Sequence, residues 1–282
     1  MGGMEPLQTP DGLVLHVRRW PCTQAARGTV LIVHGLGEHI ARYDAVAGAL
    51  NAQAWDVLGY DQRGHGRSTG PRGAIAQNNS LLVDLAQMID HTRAHSTGKL
   101  VLLGHSMGGL VAARFVAEAL AAQPAVWSRD VDALVLSSPA LDAGMNAAQK
   151  LLLAVLGPLA PNLAVGNGLK SSWISRSAAV VQAYERDELV HDRVTPRLAR
   201  FIVDGGEWVR AHAAFWRVPS LLLWAGADRC VAPAGSAAFA AAAPTDVLTA
   251  QVYPALFHEI FNEPERDAVL ARLTAWLDAS TP

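Results

Sequence analysis

The sequence predicts an α/β protein with a mostly parallel central sheet covered by helices on both faces. Three observations lead there. Short runs such as 29–34 and 101–103 are apolar at nearly every position, which suits strands buried on both faces rather than half-exposed ones. These runs alternate with segments of helical periodicity such as Ser80–His95, where Leu81, Leu82, Leu85, Met88 and Ile89 share one face. One run, Val101-Leu102-Leu103, breaks off at Gly104-His105-Ser106-Met107-Gly108-Gly109, and a helix-favouring stretch over 110–120 follows at once.

In chain order, 13–20 reads as a strand after the turn Pro10-Asp11-Gly12, with 6–9 as its hairpin mate. The apolar strand 29–34 ends in Gly35. A helix over 43–54, a strand over 56–60 and a polar glycine loop over 61–73 come next. After the helix Ser80–His95, strands are expected at 99–103, 131–137, 218–224 and 247–253, and a helix over 264–278 closes the chain. From Pro139 to about Trp216 the rhythm lapses into several helices with no strong strand. This region reads as an insertion, so 1–138 and 217–282 are expected to form the core domain and 139–216 a helical unit over the end of the sheet.

A chain of 282 residues suits one large domain or a domain with an insertion. Apolar residues at 51% against 17% charged supply a thick core and exclude a disordered class. A net charge of −2 leaves no electrostatic footprint for nucleic acid. Cys22 and Cys230 are too few for a disulfide framework and read as free thiols in a reducing compartment. The histidines form no H-E-x-x-H and neither cysteine sits in a C-x-x-C, so no metal and no cofactor is expected. The start, Met1-Gly2-Gly3-Met4-Glu5-Pro6, lacks the basic and apolar regions of a signal peptide, and Pro6 stands where a myristoylation motif wants Ser or Thr. The greasy stretch 151–160 contains Pro158 and is too short to span a bilayer. A cytoplasmic protein is the expectation.

The break after Leu103 carries the chemistry. A strand, a sharp turn and a helix around G-x-S-x-G force the serine into a strained conformation, and glycines on either side remove the side chains that would collide there. Ser106 would then stand exposed beside a helix N-terminus. A serine hydroxyl needs a base within hydrogen-bond reach, and the base needs an orienting acid. Asp228 follows the run 221–227 and His258 follows 253–257, each just past a strand end, where a parallel sheet presents its functional loops. His191 and His212 lie in the insertion and follow no strand. The backbone N–H of Met107 and, from the loop His34-Gly35-Leu36-Gly37, that of Leu36 are the expected oxyanion donors. His34 reads as a brace for that loop, and Arg63, His65 and Arg67 as braces for the glycine loop, since no P-loop spacing surrounds them. Cys230, two residues past Asp228, reads as a small buried residue.

Motifs along the whole chain extend this pattern. They are His34-Gly35-Leu36-Gly37-Glu38-His39, Arg42-Tyr43, Asp61-Gln62-Arg63-Gly64-His65-Gly66-Arg67-Ser68, Gly104-His105-Ser106-Met107-Gly108-Gly109, Ser137-Ser138-Pro139, Trp173-Ile174-Ser175-Arg176, Ala227-Asp228-Arg229 and Phe257-His258-Glu259. With them the chain resembles the monoacylglycerol lipase and lysophospholipase-like branch of the α/β hydrolases. The resemblance implies the α/β-hydrolase fold with an inserted helical cap at 139–216, and the family's acid and base on Asp228 and His258. It implies an esterase of single-chain acyl esters, a small-molecule lipid substrate cleaved through an acyl-enzyme. It also implies a polar subsite for the glycerol end on Glu38, Arg42 and Tyr184; the other reading of Glu38 and Arg42 is a scaffold pair, with each other and with Arg63 or His65. The run 151–159 fits the cap, either lining an acyl passage or packing the cap onto the core. The chain departs from the mammalian pattern in much of the cap. Lysophospholipase, thioesterase, acyltransferase, peptidase or broad carboxylesterase activity on the same fold stays open. So do a lipid-binding protein without catalysis and a transient contact of the cap with a lipid surface. No oligomeric state is implied.

Overall fold

The computed structural model describes residues 5–280. The reading of Met1-Gly2-Gly3-Met4 as neither signal nor lipidation site lies outside the described residues. The chain opens with an antiparallel pair, β1 (Leu7–Gln8) and β2 (Val14–Leu15). The strands β3 (Val17–Trp20), β4 (Gly28–Val33), β5 (Trp55–Tyr60), β6 (Lys99–His105) and β7 (Ala133–Ser137) follow. A second short antiparallel pair, β8 (Val165–Gly166) and β9 (Arg193–Val194), precedes β10 (Ser220–Ala225) and β11 (Leu248–Tyr253). Seven of these form one sheet in the order β11-β10-β7-β6-β4-β5-β3, parallel except at the edge strand β3.

The alternation of side chains along the strands separates two cores. On one face Val30, Ile32, Val101, Leu103, Val135, Leu221 and Leu223 pack with α1 (Asp44–Asn51) and the closing helix. On the other, Leu31, Val33, Leu102, Leu134, Leu136 and Leu222 pack with α2 (Ser80–His95) and α3 (Ser106–Glu118). Burial on both sides is why these strands read as continuous apolar runs. The chain crosses from β5 on one side of β4 to β6 on the other, which leaves a crevice at the carboxyl ends of β4 and β6.

Between β7 and β10 lie α4 (Ala147–Leu159), α5 (Ala178–Arg186) and α6 (Pro196–Ala211). The last of these is rooted in the core: Leu198, Phe201 and Val209 join the α3 side, and Gly205 lies against Leu110. The remaining helices are α7 (Pro233–Ala242) and α8 (Arg266–Ser280). Among the described residues, no helix is long and apolar enough to cross a membrane.

Two expectations are corrected, and one helix went unexpected. The strand at 13–20 is two strands in two sheets, broken at His16, whose N–H donates to Ser68 Oγ at 2.8 Å and whose carbonyl accepts from Asp61 N–H at 2.9 Å. The helix α7 escapes a periodicity search because Phe239 is the single large apolar residue in an alanine-rich stretch. In α4, Leu151, Leu152, Val155 and Leu159 are 53–77% exposed, so they neither line a passage nor pack onto the core.

The ring of Phe115 is fully buried, 5.4 Å from that of Trp127. Phe115→Ala is expected to lower stability by about 4 kcal/mol, read by urea denaturation, with a native-like far-UV spectrum below the transition.

Candidate active site

Strand β6 ends at His105, and Ser106 opens α3 with φ of +54°, in the left-handed region. A residue with a side chain adopts this conformation only where its surroundings enforce it. Gly104 and Gly108 permit it: a Cβ on Gly104 would stand 2.5 Å from the Gly108 carbonyl oxygen, and one on Gly108 2.1 Å from that of Val33. The loop after β7 holds the turn from outside. Ala140 N–H donates to the Ser106 carbonyl at 2.9 Å, and Ser138 N–H donates to the Leu223 carbonyl at 2.8 Å.

His258 meets this serine from the loop after β11. Its Nε2 lies 2.8 Å from Ser106 Oγ, and its Nδ1 donates to Asp228 Oδ2 at 2.6 Å. Asp228, in the loop after β10, is fixed by its own loop: Oδ1 accepts from Cys230 N–H at 2.8 Å and Val231 N–H at 3.1 Å. Burial disfavours charge on His258, but Asp228, Glu259 and Glu38 outweigh it and raise the imidazole above its ordinary value. His105 packs 4.8 Å from the same ring. Burial and the neighbouring His258 hold His105 down to about 4, so it stays neutral and donates Nδ1–H to the Ser137 carbonyl at 3.0 Å. The sequence-predicted trio Ser106, His258 and Asp228 therefore forms one hydrogen-bonded line.

The two expected backbone donors flank the serine. Met107 lies in the first turn of α3, where a helix offers its N–H no acceptor. Leu36 follows Gly35, whose would-be Cβ stands 3.1 Å from Ser106 Cβ. His34 braces this loop: Nδ1–H donates to the Gly35 carbonyl at 2.8 Å, and Nε2 accepts from Gln62 N–H at 2.9 Å. Arg63 lies apart, paired with Asp84 and Asp11 at 2.6 and 2.7 Å.

Glu38, Arg42 and Tyr184 do come together, but the polar atoms of the first two are engaged by protein. Glu38 Oε1 accepts from Gly35 N–H at 2.6 Å and from Tyr43 OH at 2.8 Å, and Oε2 accepts from Arg42 at 2.9 Å. Arg42 also donates twice to Glu259, at 2.6 and 2.7 Å, and lies over the Tyr184 ring at 4.8 Å. The scaffold partners expected for this pair, Arg63 and His65, are replaced by Tyr43 and Glu259. Burial opposes ionisation of Glu38, yet Arg42, with the Gly35 N–H, holds it down to about 2. Sequence reasoning missed Glu259 as a functional neighbour; its only signal was adjacency to His258.

A cavity of about 410 Å³ opens over Ser106. Gly35, Leu36, Glu38, His258 and Glu259 line it, and the segment between β7 and β10 adds Leu169, Lys170, Ile174, Tyr184, Asp187 and His191. Cys230 also lines it, buried, with its thiol pushed up by that burial and by Asp228.

Residues 24–265 match the model of the hydrolase family described as serine aminopeptidase, S33. The chain belongs to this family. It is 34% identical over 262 residues to a monoacylglycerol lipase of Mycolicibacterium smegmatis, covering 92% of this chain and 90% of that one. It is 30% identical over 252 residues to the phospholipase YtpA of Bacillus subtilis, covering 88% and 94%. The crystal structure of a Paleococcus ferrophilus monoacylglycerol lipase superimposes with a TM-score of 0.84 at 30% identity, covering 94% of this chain and 99% of that one. The α/β-hydrolase fold and the family implied by the motifs are thus the observed ones.

Only neutral His258 can accept the Ser106 proton. With its imidazole raised, labelling of Ser106 by a fluorophosphonate is expected to slow with falling pH around a midpoint above 6.5. Labelling rates measured from pH 5 to 9 check this, and a pH-independent rate would contradict the geometry.

Proposed function

We propose that this protein is a serine hydrolase of single-chain acyl esters, with monoacylglycerols as its substrates. The observation that carries the reading is the Ser106–His258–Asp228 line opening beneath a cavity of about 410 Å³. The relatives named as monoacylglycerol lipases support the substrate class.

Each step uses groups of the chain. Neutral His258 Nε2 takes the Ser106 proton as Oγ attacks the ester carbonyl. The oxyanion accepts the Leu36 and Met107 N–H groups, each contributing about 3 kcal/mol in comparable sites. Asp228 holds the imidazole tautomer and stabilises the imidazolium. That imidazolium returns the proton to the glycerol oxygen as the carbon–oxygen bond breaks, leaving an acyl-enzyme. His258 then deprotonates water, whose attack releases the fatty acid and restores the serine hydroxyl.

Charge in the cavity favours a neutral head over a phosphate. Lys170 is the one lysine or arginine of the lining among the described residues, against the carboxylates of Glu185, Asp187 and Asp192 besides Glu38 and Glu259, which Arg42 pairs. This weighs against a lysophospholipase. In the polar trio, Glu38 and Arg42 hold the site together, and Tyr184, half-buried at the cavity, is the member left to meet the glycerol end. Residues 139–216 act as the cap, rooted by α6. The exposed Leu151, Leu152, Val155 and Leu159 support a transient contact with a lipid surface. Two unpaired cysteines fit a reducing compartment, so we place the protein in the cytoplasm.

Purified protein is expected to cleave monoacylglycerols in a chain-length series run beside lysophospholipids, di- and triacylglycerols and aminoacyl anilides. Ser106→Ala is expected to lower that turnover by roughly 10⁴-fold or more. Activity confined to lysophospholipids or to anilides would replace this reading.

A further inference from the structure

Glu263 is a buried carboxylate beside the site with no part in the chemistry above. It accepts four hydrogen bonds: from Ser175 Oγ at 2.8 Å, Arg176 N–H at 2.6 Å, Arg176 Nε at 2.6 Å and Phe257 N–H at 3.0 Å. Arg176 also pairs with Glu265. Burial works against ionisation of Glu263, but Arg176 and the N–H donors hold it below the usual carboxylate range.

These bonds converge on the backbone around His258. Phe257, just before the base, has its N–H on Glu263. Glu259, just after it, donates its N–H to the Ile174 carbonyl at 2.8 Å. Ile174 belongs to the same short strap, 174–176, that Glu263 grips, and it also lines the cavity. The rest of the loop is tied through other groups: Gly226 N–H donates to the Tyr253 carbonyl at 2.8 Å, and the Glu259 carboxylate accepts from Arg42 at 2.6 and 2.7 Å. Both N–H groups that bracket the base therefore depend on Glu263 and on a strap entering from the insertion.

We infer that Glu263 is a positioning residue for His258, acting directly through Phe257 and indirectly through the strap 174–176, so that the insertion helps set the base as well as lining the cavity. The inference rests on the serine-hydrolase reading above. Glu263→Gln keeps the shape but turns an amide NH₂ toward donors. Arg176→Ala removes one of the four bonds at a partly exposed position.

A misplaced base lowers the rate of chemistry rather than binding, and a displacement of about 1 Å can cost about 100-fold. For p-nitrophenyl butyrate, Glu263→Gln is expected to lower kcat by about 10- to 100-fold with KM within about twofold of wild type. Arg176→Ala is expected to act in the same direction and less. In both, the acid limb of the pH profile and the low-field His258 Nδ1–H proton resonance should shift. Folded Glu263→Gln with wild-type kcat, pH profile and resonance, and only a lower Tm, would overturn the inference. If that variant does not fold, wild-type values of all three in Arg176→Ala would overturn it. Fluorophosphonate labelling of the wild type separates the two levels. An unlabelled Ser106 overturns both the serine-hydrolase reading and this inference. A labelled Ser106 with unaffected variants overturns this inference alone.

Discussion

The left-handed backbone of Ser106 is the constraint on which the rest of the site depends. Such a conformation costs about 1–3 kcal/mol and persists only where neighbours over-determine it. Here the first turn of α3 approaches the end of β4 so closely that a Cβ on Gly108 would strike the Val33 carbonyl. That approach does more than permit the turn. It brings the loop after β4 against the serine, so Ser106, the helix N-terminus and Leu36 are brought together by one close contact of α3 with the end of β4. The loop after β7, through Ala140 and Ser138, closes the fourth side.

The loops that carry the remaining groups are pinned by buried ion pairs as well as by core residues such as Leu256, Ile260 and Phe261. Arg42 bridges Glu38, which grips the loop of Gly35, to Glu259, which follows the base. Arg63 ties the glycine loop to Asp84 on α2. Such pairs give little net stability, because desolvation offsets much of the attraction, but losing one partner leaves a buried charge unmatched. Their contribution here is geometric: they make loop positions discrete. The same carboxylates also bias His258 toward its protonated form, which the mechanism needs once Ser106 has given up its proton.

Much of this was legible in the sequence, for physical reasons that also explain the gaps. Strands buried on both faces write themselves as apolar runs, so β4, β6, β7 and β10 could be read directly. Asp228 and His258 could be found because each follows such a run. Glu259 and Glu263 could not. A carboxylate in a loop has no period, and its partners lie far off in sequence: Arg42 is 217 positions from Glu259, and Arg176 is 87 from Glu263. The expectation for α4 failed because composition tells that a helix is apolar, not which way it faces. The strand 13–20 looked continuous because the side chain that interrupts it, Ser68, comes from a distant loop.

The segment between β7 and β10 is anchored unevenly, and this bears on which substitutions can reach the site. On its inner side it grips three core loops. His191 N–H donates to the Gly37 carbonyl at 2.9 Å, Thr195 N–H to the Gly73 carbonyl at 2.9 Å, and Glu259 N–H to the Ile174 carbonyl at 2.8 Å. Asp187 adds a bond to His39 at 2.7 Å. Through these contacts 174–195 is part of the rigid wall around Ser106, and a substitution there disturbs the donor loop or the base loop along with the cavity. The outer helix α4 is different. It packs against α6 and leaves a row of leucines in solvent. None of its described residues lines the cavity over Ser106, so changes in α4 are decoupled both from the reacting groups and from the wall that 174–195 builds around them.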